Sequence, residues 1–471
     1  MFQPAMMTDA DVEPLADGVY RVLEDIGVAF QSETILQAIQ TIGARVDYAT
    51  ERATFPRALV EEFVVGLRRE TVSDTVNPFP HFAAPGLGGF GTQIAQFYYD
   101  DESQEARQGN SRDLITLIKL GDALHGEGGV GHSLLLTDVP PLVEPLEAAL
   151  LLAEYAREPQ AAFAWNVDQI DYLVEMGEIL GVKDWYNWGA ICIAHPLRFD
   201  RDIARKFARR AQEGISTGIT AMPVAGATTP VTVEGFTVVS SAEHLAAWLA
   251  ARAINPGVGL SGSIWAGTVD MKTGTVSYCA PDAMFYGFAN AEFLRRWTGM
   301  RVYVGGGEYS AAKVPGLYTA LEKAYKSLLI GAFQGAPPSI GEGLLDDGKA
   351  LSPAELLIER DLSSGVGNLA RTVSATEANI ALDTILEVGH GPKTSYLMAD
   401  HTLRNYRQNL WLPEFIDRSG WKGAASDEAM VAKARQKTRE LLAEYRKPEG
   451  REDQLAAMRA VVERARTELG A

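Results

Sequence analysis

Eight short β-prone runs, each trailed by a longer stretch of helical period, constrain this chain more than any other feature of its sequence. The runs are GGFGTQI (88–94), VGHSLLL (130–136), AAFAWN (161–166), GAICIA (189–194), GITAMP (218–223), VGLSGSI (258–264), RVYVGG (301–306) and PSIGEG (338–343). Amphipathic stretches such as SRDLITLIKLGDAL, EPLEAALLLAEYA and AAKVPGLYTALEKAYKSLLIGAF lie between them. Strands joined by helices run parallel. Eight such units in a row predict an α/β fold closed into a (β/α)8 TIM-type barrel, although an open doubly wound sheet has the same periodicity. Residues 1–85 read as an N-terminal helical cap region and 86–390 as the barrel. Residues 391–471 read as a C-terminal connector and helical extension, whose apolar stripes would pack on the barrel or on a partner subunit.

Charge narrows the partners. The chain carries 61 acidic against 43 basic residues, a formal charge of −18. That balance repels nucleic acid and anionic lipid and draws small cations into clefts. Two cysteines, Cys192 and Cys279, are too few for a disulfide framework or a metal cluster and suit a reducing cytoplasm. The greasiest segment, LEAALLLAEYA, is interrupted by Glu147 and Glu154, and MFQPAMMTDADVEP lacks the basic-then-apolar order of a leader, so neither membrane nor export is expected.

No Walker loop, HExxH or CxxC pair is present, so a site must be assembled from strand ends. In a parallel barrel those ends converge on one face. They comprise Thr92 and Gln93, His132 and Asp138, Trp165 and Asn166, His195, Met222, Trp265 and Asp270, Glu308 and Tyr309, and Glu342. Rings and carboxylates dominate this set, which suits a cation lacking N–H donors, since each aromatic face contributes about 0.5–2 kcal/mol to such a charge.

Each residue also has a bland reading. His132 and His195 serve equally as core histidines, Asp138 before Pro140 as a turn or capping residue, and Trp165 and Trp265 as core filling. On the functional reading Trp265, Tyr309 and Trp165 are walls, and Glu308 or Glu342 is the negative charge. His195 or Asn166 orients a polar tail, while His132, Gln93 and Asp270 complete the lining. Glu308, Tyr309 and Glu342 are the catalytic candidates, and no metal ligands are expected.

The strings RVLEDIGVAF, GDALHGEGGVGHSLLLTDVPP, PVAGATTPVTVEG, VDMKTGTVSY and DHTLRNYRQNLWLPEFIDRSGW resemble the trimethylamine methyltransferase (MttB) superfamily, in family order and over nearly the whole chain. The resemblance implies a barrel that moves a methyl group from a methylated amine to the Co(I) corrinoid (cobalamin) of a separate, cognate corrinoid protein. It implies no cofactor held tightly by this chain, a cytoplasmic location and a homo-oligomer. Founding members carry pyrrolysine near the position of Glu308 to Ser310. Ordinary residues stand there in this chain, as in the branch that demethylates quaternary amines such as glycine betaine. Ala311 replaces a common family acid and Gly316 a frequent Asp, which leaves the methyl donor open. A non-catalytic barrel that binds a betaine-like ligand is the other reading.

Overall fold

The helix Val233–Ile254 runs through the middle of the molecule, its residues Phe236 to Ala251 buried on nearly every face. Its sequence is apolar around the whole circumference, the pattern of a helix enclosed by protein. Thr232 starts it by accepting the amide N–H of Gly235. The computed structural model describes residues 5–71, 90–91, 93–125, 128–334, 340–390, 395–418 and 425–470. Thr92 and the expected boundaries at 85/86 and 390/391 fall on or beside residues outside that set, as do parts of the runs at 88–94 and 338–343.

The predicted (β/α)8 barrel does not form. Among the described residues the strands fall into four separate sheets of three or four strands, and none closes on itself. The fold is α/β with mixed sheets. Thr217–Ala221, Leu260–Ile264 and Tyr303–Val304, which correspond to three of the predicted runs, do pair in parallel as one sheet. The runs at 130–136, 161–166 and 189–194 form no ladder, only single bridges such as Val130 with Pro159 and Phe163 with Asn187.

Neighbouring runs share scattered backbone hydrogen bonds, such as Leu135 N–H to Ala95 O and Ala164 N–H to Asn187 O, and side chains take several backbone donors at or just beyond their ends. Leu136 N–H goes to Glu144, Trp165 N–H to Gln169, Gly189 N–H to Asn187, Leu197 N–H to Glu243 and Met222 N–H to His195. A backbone group satisfied by a side chain has no need of a neighbouring strand.

At the N-terminal end the helices Asp9–Arg21, Glu33–Thr41 and Arg57–Glu70 appear with a small antiparallel sheet of Val28–Phe30, Arg45–Asp47 and Arg52–Thr54, which helical periodicity alone did not predict. Val28–Phe30 pairs in parallel with Arg198–Phe199, and the Phe30 and Phe199 rings pack at 4.8 Å between centroids, tilted by 31°, tying this region to the body. The final helix Glu452–Leu469 buries Leu455, Met458, Val461 and Val462 in the cluster that also contains Leu146, Leu150 and Leu173. Its apolar stripe is therefore spent within its own chain.

Candidate functional site

The C-terminal ends of the parallel sheet set the site. Trp265 directly follows Leu260–Ile264 and Gly305 directly follows Tyr303–Val304, with Trp265 N–H donating to Ala221 O and Gly305 N–H to Ile264 O. The indole lies flat against Gly305: a Cβ there would stand 2.0 Å from Trp265 Cε2. Gly306, at φ +89°, then turns the chain through a conformation that L side chains rarely adopt. These two glycines explain why VYVGGGEY breaks off its strand where it does.

Past the turn Glu308 is 6% exposed. Its Oε1 accepts the Trp265 indole N–H at 3.2 Å and the Gln93 amide at 3.3 Å. Both donors are neutral. Among the described residues no lysine, arginine or histidine forms an ion pair with this carboxylate. Tyr309 is half-buried, its ring packed where a Cβ on Gly348 would stand 2.4 Å from Cε1. Burial, then the neighbouring Glu308 charge, pushes its phenol well above the ordinary range, so it remains an uncharged hydroxyl and ring.

The 308–316 segment is held by groups on the following helices. Lys326 Nζ donates to Tyr309 O at 2.5 Å, while Ser310 Oγ–H and Ala311 N–H donate to Glu322. Gly316 N–H donates to Glu355, a carboxyl whose pKa burial and the adjacent Glu359 raise. Asp347, at φ +55°, donates its N–H to Ser310 O and accepts from Tyr278 N–H and the Cys279 thiol. Lys323 and Glu359 form a fully buried ion pair below. None of these supporting residues was singled out from the sequence. Lys323 and Lys326 look there like a solvated helix face, and Asp346–Asp347 like an ordinary turn.

The remaining candidates sit in other clusters. His132 Nε2 contacts Leu134 O and Glu144 Oε1, and Trp165, 39% exposed, donates its indole N–H to Glu144 Oε2 at 2.6 Å. Burial raises the Glu144 pKa, but the His132 imidazole and the donors of Trp165 and Leu136 outweigh it and hold the group below its usual 4.5. Its contribution to stability is therefore full above pH 4.5 and is lost as pH falls through the depressed value. Glu144→Ala is expected to cost about 1–3 kcal/mol by stranding the buried Leu136 N–H and removing the acceptor of the Trp165 indole, read as a lowered thermal midpoint. An unchanged midpoint would mean the cluster is dispensable.

His195 has both ring nitrogens engaged: Nδ1 on Glu243 at 2.9 Å and Nε2 accepting Met222 N–H at 2.8 Å. It holds loops and has no nitrogen left for a substrate. Asn166 caps a short turn by accepting Asp168 N–H. Asp270 sits exposed at the Gly267–Val269 hairpin turn, accepting Lys272 N–H and Thr273 Oγ–H. Asp138 accepts Ser111 N–H at the start of a helix. Glu342 acts electrostatically on Arg360, on the helix Pro353–Gly367. The structure thus brings together Gln93, Trp265, Glu308 and Tyr309, and places His132 with Trp165 in a second cluster.

Lys206 was also missed. It lies on the helix Arg201–Gln212, is 3% exposed, and donates to Ala164 O at 2.7 Å. Burial pushes its ammonium down to about 8. A lowered native pKa means the unfolded chain binds the proton over a window where the native chain does not, so stability should rise between pH about 8 and the ordinary 10.5. Lys206→Met should abolish that rise, as read from urea midpoints across the window. A rise that survives in the variant would contradict the assignment.

The chain is similar to known proteins over much or all of its length. The sequence profile described as trimethylamine methyltransferase (MTTB) matches residues 2–470. A glycine betaine methyltransferase of Desulfitobacterium hafniense (strain Y51) is 23% identical over 459 residues, covering 94% of this chain and 93% of its own. A trimethylamine methyltransferase MttB of Desulfitobacterium hafniense (strain DSM 10664 / DCB-2) is 23% identical over 100% of this chain and 95% of its own. One from Methanosarcina barkeri (strain Fusaro / DSM 804) is 28% identical over 58% of this chain and 55% of its own length.

Proposed function

Since this chain belongs to the trimethylamine methyltransferase family, we propose that it removes a methyl group from a quaternary trimethylammonium compound such as a betaine, as in the branch without pyrrolysine. The observation that carries the reading is the Glu308 carboxylate, buried and hydrogen-bonded only to the neutral donors of Trp265 and Gln93 among the described contacts. A buried anion is costly unless a positive charge accompanies it. A trimethylammonium group supplies that charge without needing acceptors for N–H donors, and the Trp265 and Tyr309 rings offer it faces.

Among the described residues no group of three or more His, Cys, Asp or Glu side chains is placed to hold a metal ion. As the family resemblance implies, the acceptor is a reduced corrinoid on a separate protein, which would supply the nucleophile. The residues of this chain bind and aim. When the C–N bond breaks, its electron pair stays on nitrogen and a neutral tertiary amine departs, so no general acid is required. Tyr309, kept protonated by burial, takes no proton and serves as a wall. Glu308 holds the ammonium, Trp265 fixes its orientation, and exclusion of water preserves the electrostatic attraction.

The test is incubation with trimethylammonium compounds, glycine betaine among them, and a reduced corrinoid protein, following the dimethylamino product by NMR. Product from at least one quaternary amine is expected. Binding of these cations without product in the presence of a competent corrinoid protein would reduce the chain to a binding protein, and no binding at all would remove the site.

A further inference from the structure

We propose that the hydroxyl of Tyr278, together with that of Tyr309, holds the carboxylate tail of the substrate, so that the site selects a trimethylammonium carboxylate over a tetraalkylammonium ion without a tail. The inference rests on the cation site proposed above and gives it a second end. His195 is saturated and Asn166 is occupied as a cap, so the tail needs other donors. The hydrogen bonds of Tyr278 and Tyr309 run through their backbones, Tyr278 N–H to Asp347 Oδ1 at 2.9 Å and Lys326 Nζ to Tyr309 O at 2.5 Å. Among the described residues neither hydroxyl has a partner.

Tyr278 stands beside residues already placed in the site. Thr268 pairs with Ser277 in the hairpin of Gly267–Val269 and Val276–Ser277, which sets Tyr278 opposite Gly267. A Cβ on Gly267 would be 2.9 Å from Tyr278 Cε1, so the ring lies in the space that glycine leaves. Tyr278 O and Trp265 Cδ1 both border Gly306, at 3.6 and 3.4 Å from where its Cβ would stand. Asp347 joins Tyr278 to Tyr309. Its carboxylate accepts Tyr278 N–H, its own N–H donates to Ser310 O at 2.7 Å, and the next residue, Gly348, lies against the Tyr309 ring. The indole and the two phenols are therefore neighbours around the turn that leads to Glu308.

The chemistry at this end differs from that at Glu308. Burial, then the charges of Asp347 and Cys192, raise the Tyr278 phenol, and Tyr309 is raised as well, so both stay protonated and donate without giving up the proton. Two such donors suit a carboxylate, which accepts one on each oxygen. A positive field supports them: the buried Lys206 ammonium, hydrogen-bonded to Ala164 O, acts on the Cys192 thiol, which lies near enough to act on both phenols. A zwitterion thus finds an anion for its nitrogen and donors for its tail. An ion without the tail leaves both hydroxyls unpaired, and a site built to donate hydrogen bonds discriminates against such an analogue.

Titration calorimetry on the full chain tests this with tetramethylammonium and with trimethylammonium carboxylates that have one to three carbons between nitrogen and carboxyl. Wild type should bind at least one carboxylate about tenfold more tightly than tetramethylammonium. Tyr278→Phe keeps the ring and loses the hydroxyl. It should weaken that carboxylate by about 10- to 100-fold, leave tetramethylammonium within about twofold and leave circular dichroism unchanged, and Tyr309→Phe should do the same. A residue that merely supports the fold would weaken both probes alike. Equal loss for both probes, no loss for either, or a wild type that does not prefer any carboxylate would overturn the tail site while the cation site stands. Wild type that binds neither kind of probe would remove the cation site, and the tail site with it.

Discussion

Glu308→Gln should raise KM for a trimethylammonium substrate by about 30- to 100-fold while leaving kcat within about threefold, as expected for loss of an attraction worth roughly 2–3 kcal/mol in a partly dehydrated site. The direction follows from how charge moves. Nitrogen is fully cationic in the bound substrate and loses its charge as the methyl departs, so a carboxylate stabilises the ground state at least as much as the transition state. Glutamine still offers an oxygen to the Trp265 and Gln93 donors, which isolates the charge from the hydrogen bonds. A neutral tert-butyl isostere sharpens the measurement. Wild type should bind it far more weakly than the ammonium compound, and Glu308→Gln should bind the two within a few-fold of each other. A variant in which kcat collapses and KM stays put would show that Glu308 acts on the transition state, and the cation-holding role would be abandoned.

Trp265→Ala should weaken binding by about 100-fold, because it removes both a ring face, worth about 0.5–2 kcal/mol to a cation, and one of the donors that orient Glu308. Trp265→Phe retains the face and loses only the N–H, so its loss should be nearer tenfold, within the range of one hydrogen bond to a charged group. Gly305→Ala gives an independent check without touching either residue. Its new Cβ would fall 2.0 Å from Trp265 Cε2, against a rigid ring, so the indole must swing away. Binding in Gly305→Ala should resemble that of Trp265→Ala, with folding intact. Titration calorimetry with a betaine and the neutral isostere reads all three variants, and wild-type affinity in Gly305→Ala would mean the indole's seat is immaterial.

The parts of the molecule that could be read along the chain are those whose cause is local. The helices at 111–125, 144–155 and 317–334 were legible because apolar residues recur in them at helical spacing, and the parallel runs at 217–221, 260–264 and 303–304 because β-prone residues are bounded by turn formers. Gly305 and Gly306 let the backbone pass close to a large ring whose owner, Trp265, lies forty residues from Gly305. Closure of a barrel was not legible. It depends on whether each segment pairs along its length with neighbours remote in the chain, and several runs make only isolated bridges.

The same distinction runs through the site residues. His195 and Asn166 carry chemistry-bearing side chains at strand ends, yet their polar atoms are engaged by Glu243, Met222 and Asp168. Glu243 did leave a trace, an ionisable side chain beside His244 inside the otherwise apolar SSAEHLAAWLA, where only an internal partner, here His195, makes burial tolerable. Lys326 and Asp347 left none, since a lysine on an amphipathic helix and an aspartate in a DDG turn are ordinary surface features until the chain brings Tyr309 and Ser310 against them.

By itself the sequence determined the α/β character, the positions of most helices and of three parallel strands, and the membership of Trp265, Glu308 and Tyr309 in runs that end strands, because each rests on periodicity or on the conformational needs of residues close together in the chain. Only the tertiary structure decided that the sheets stay separate, that Gln93 and Trp265 converge on Glu308, and that His195 is already saturated. The last two outcomes are settled by hydrogen bonds between residues 27 to 215 positions apart, and a buried donor or acceptor takes whichever partner the packed chain delivers to it.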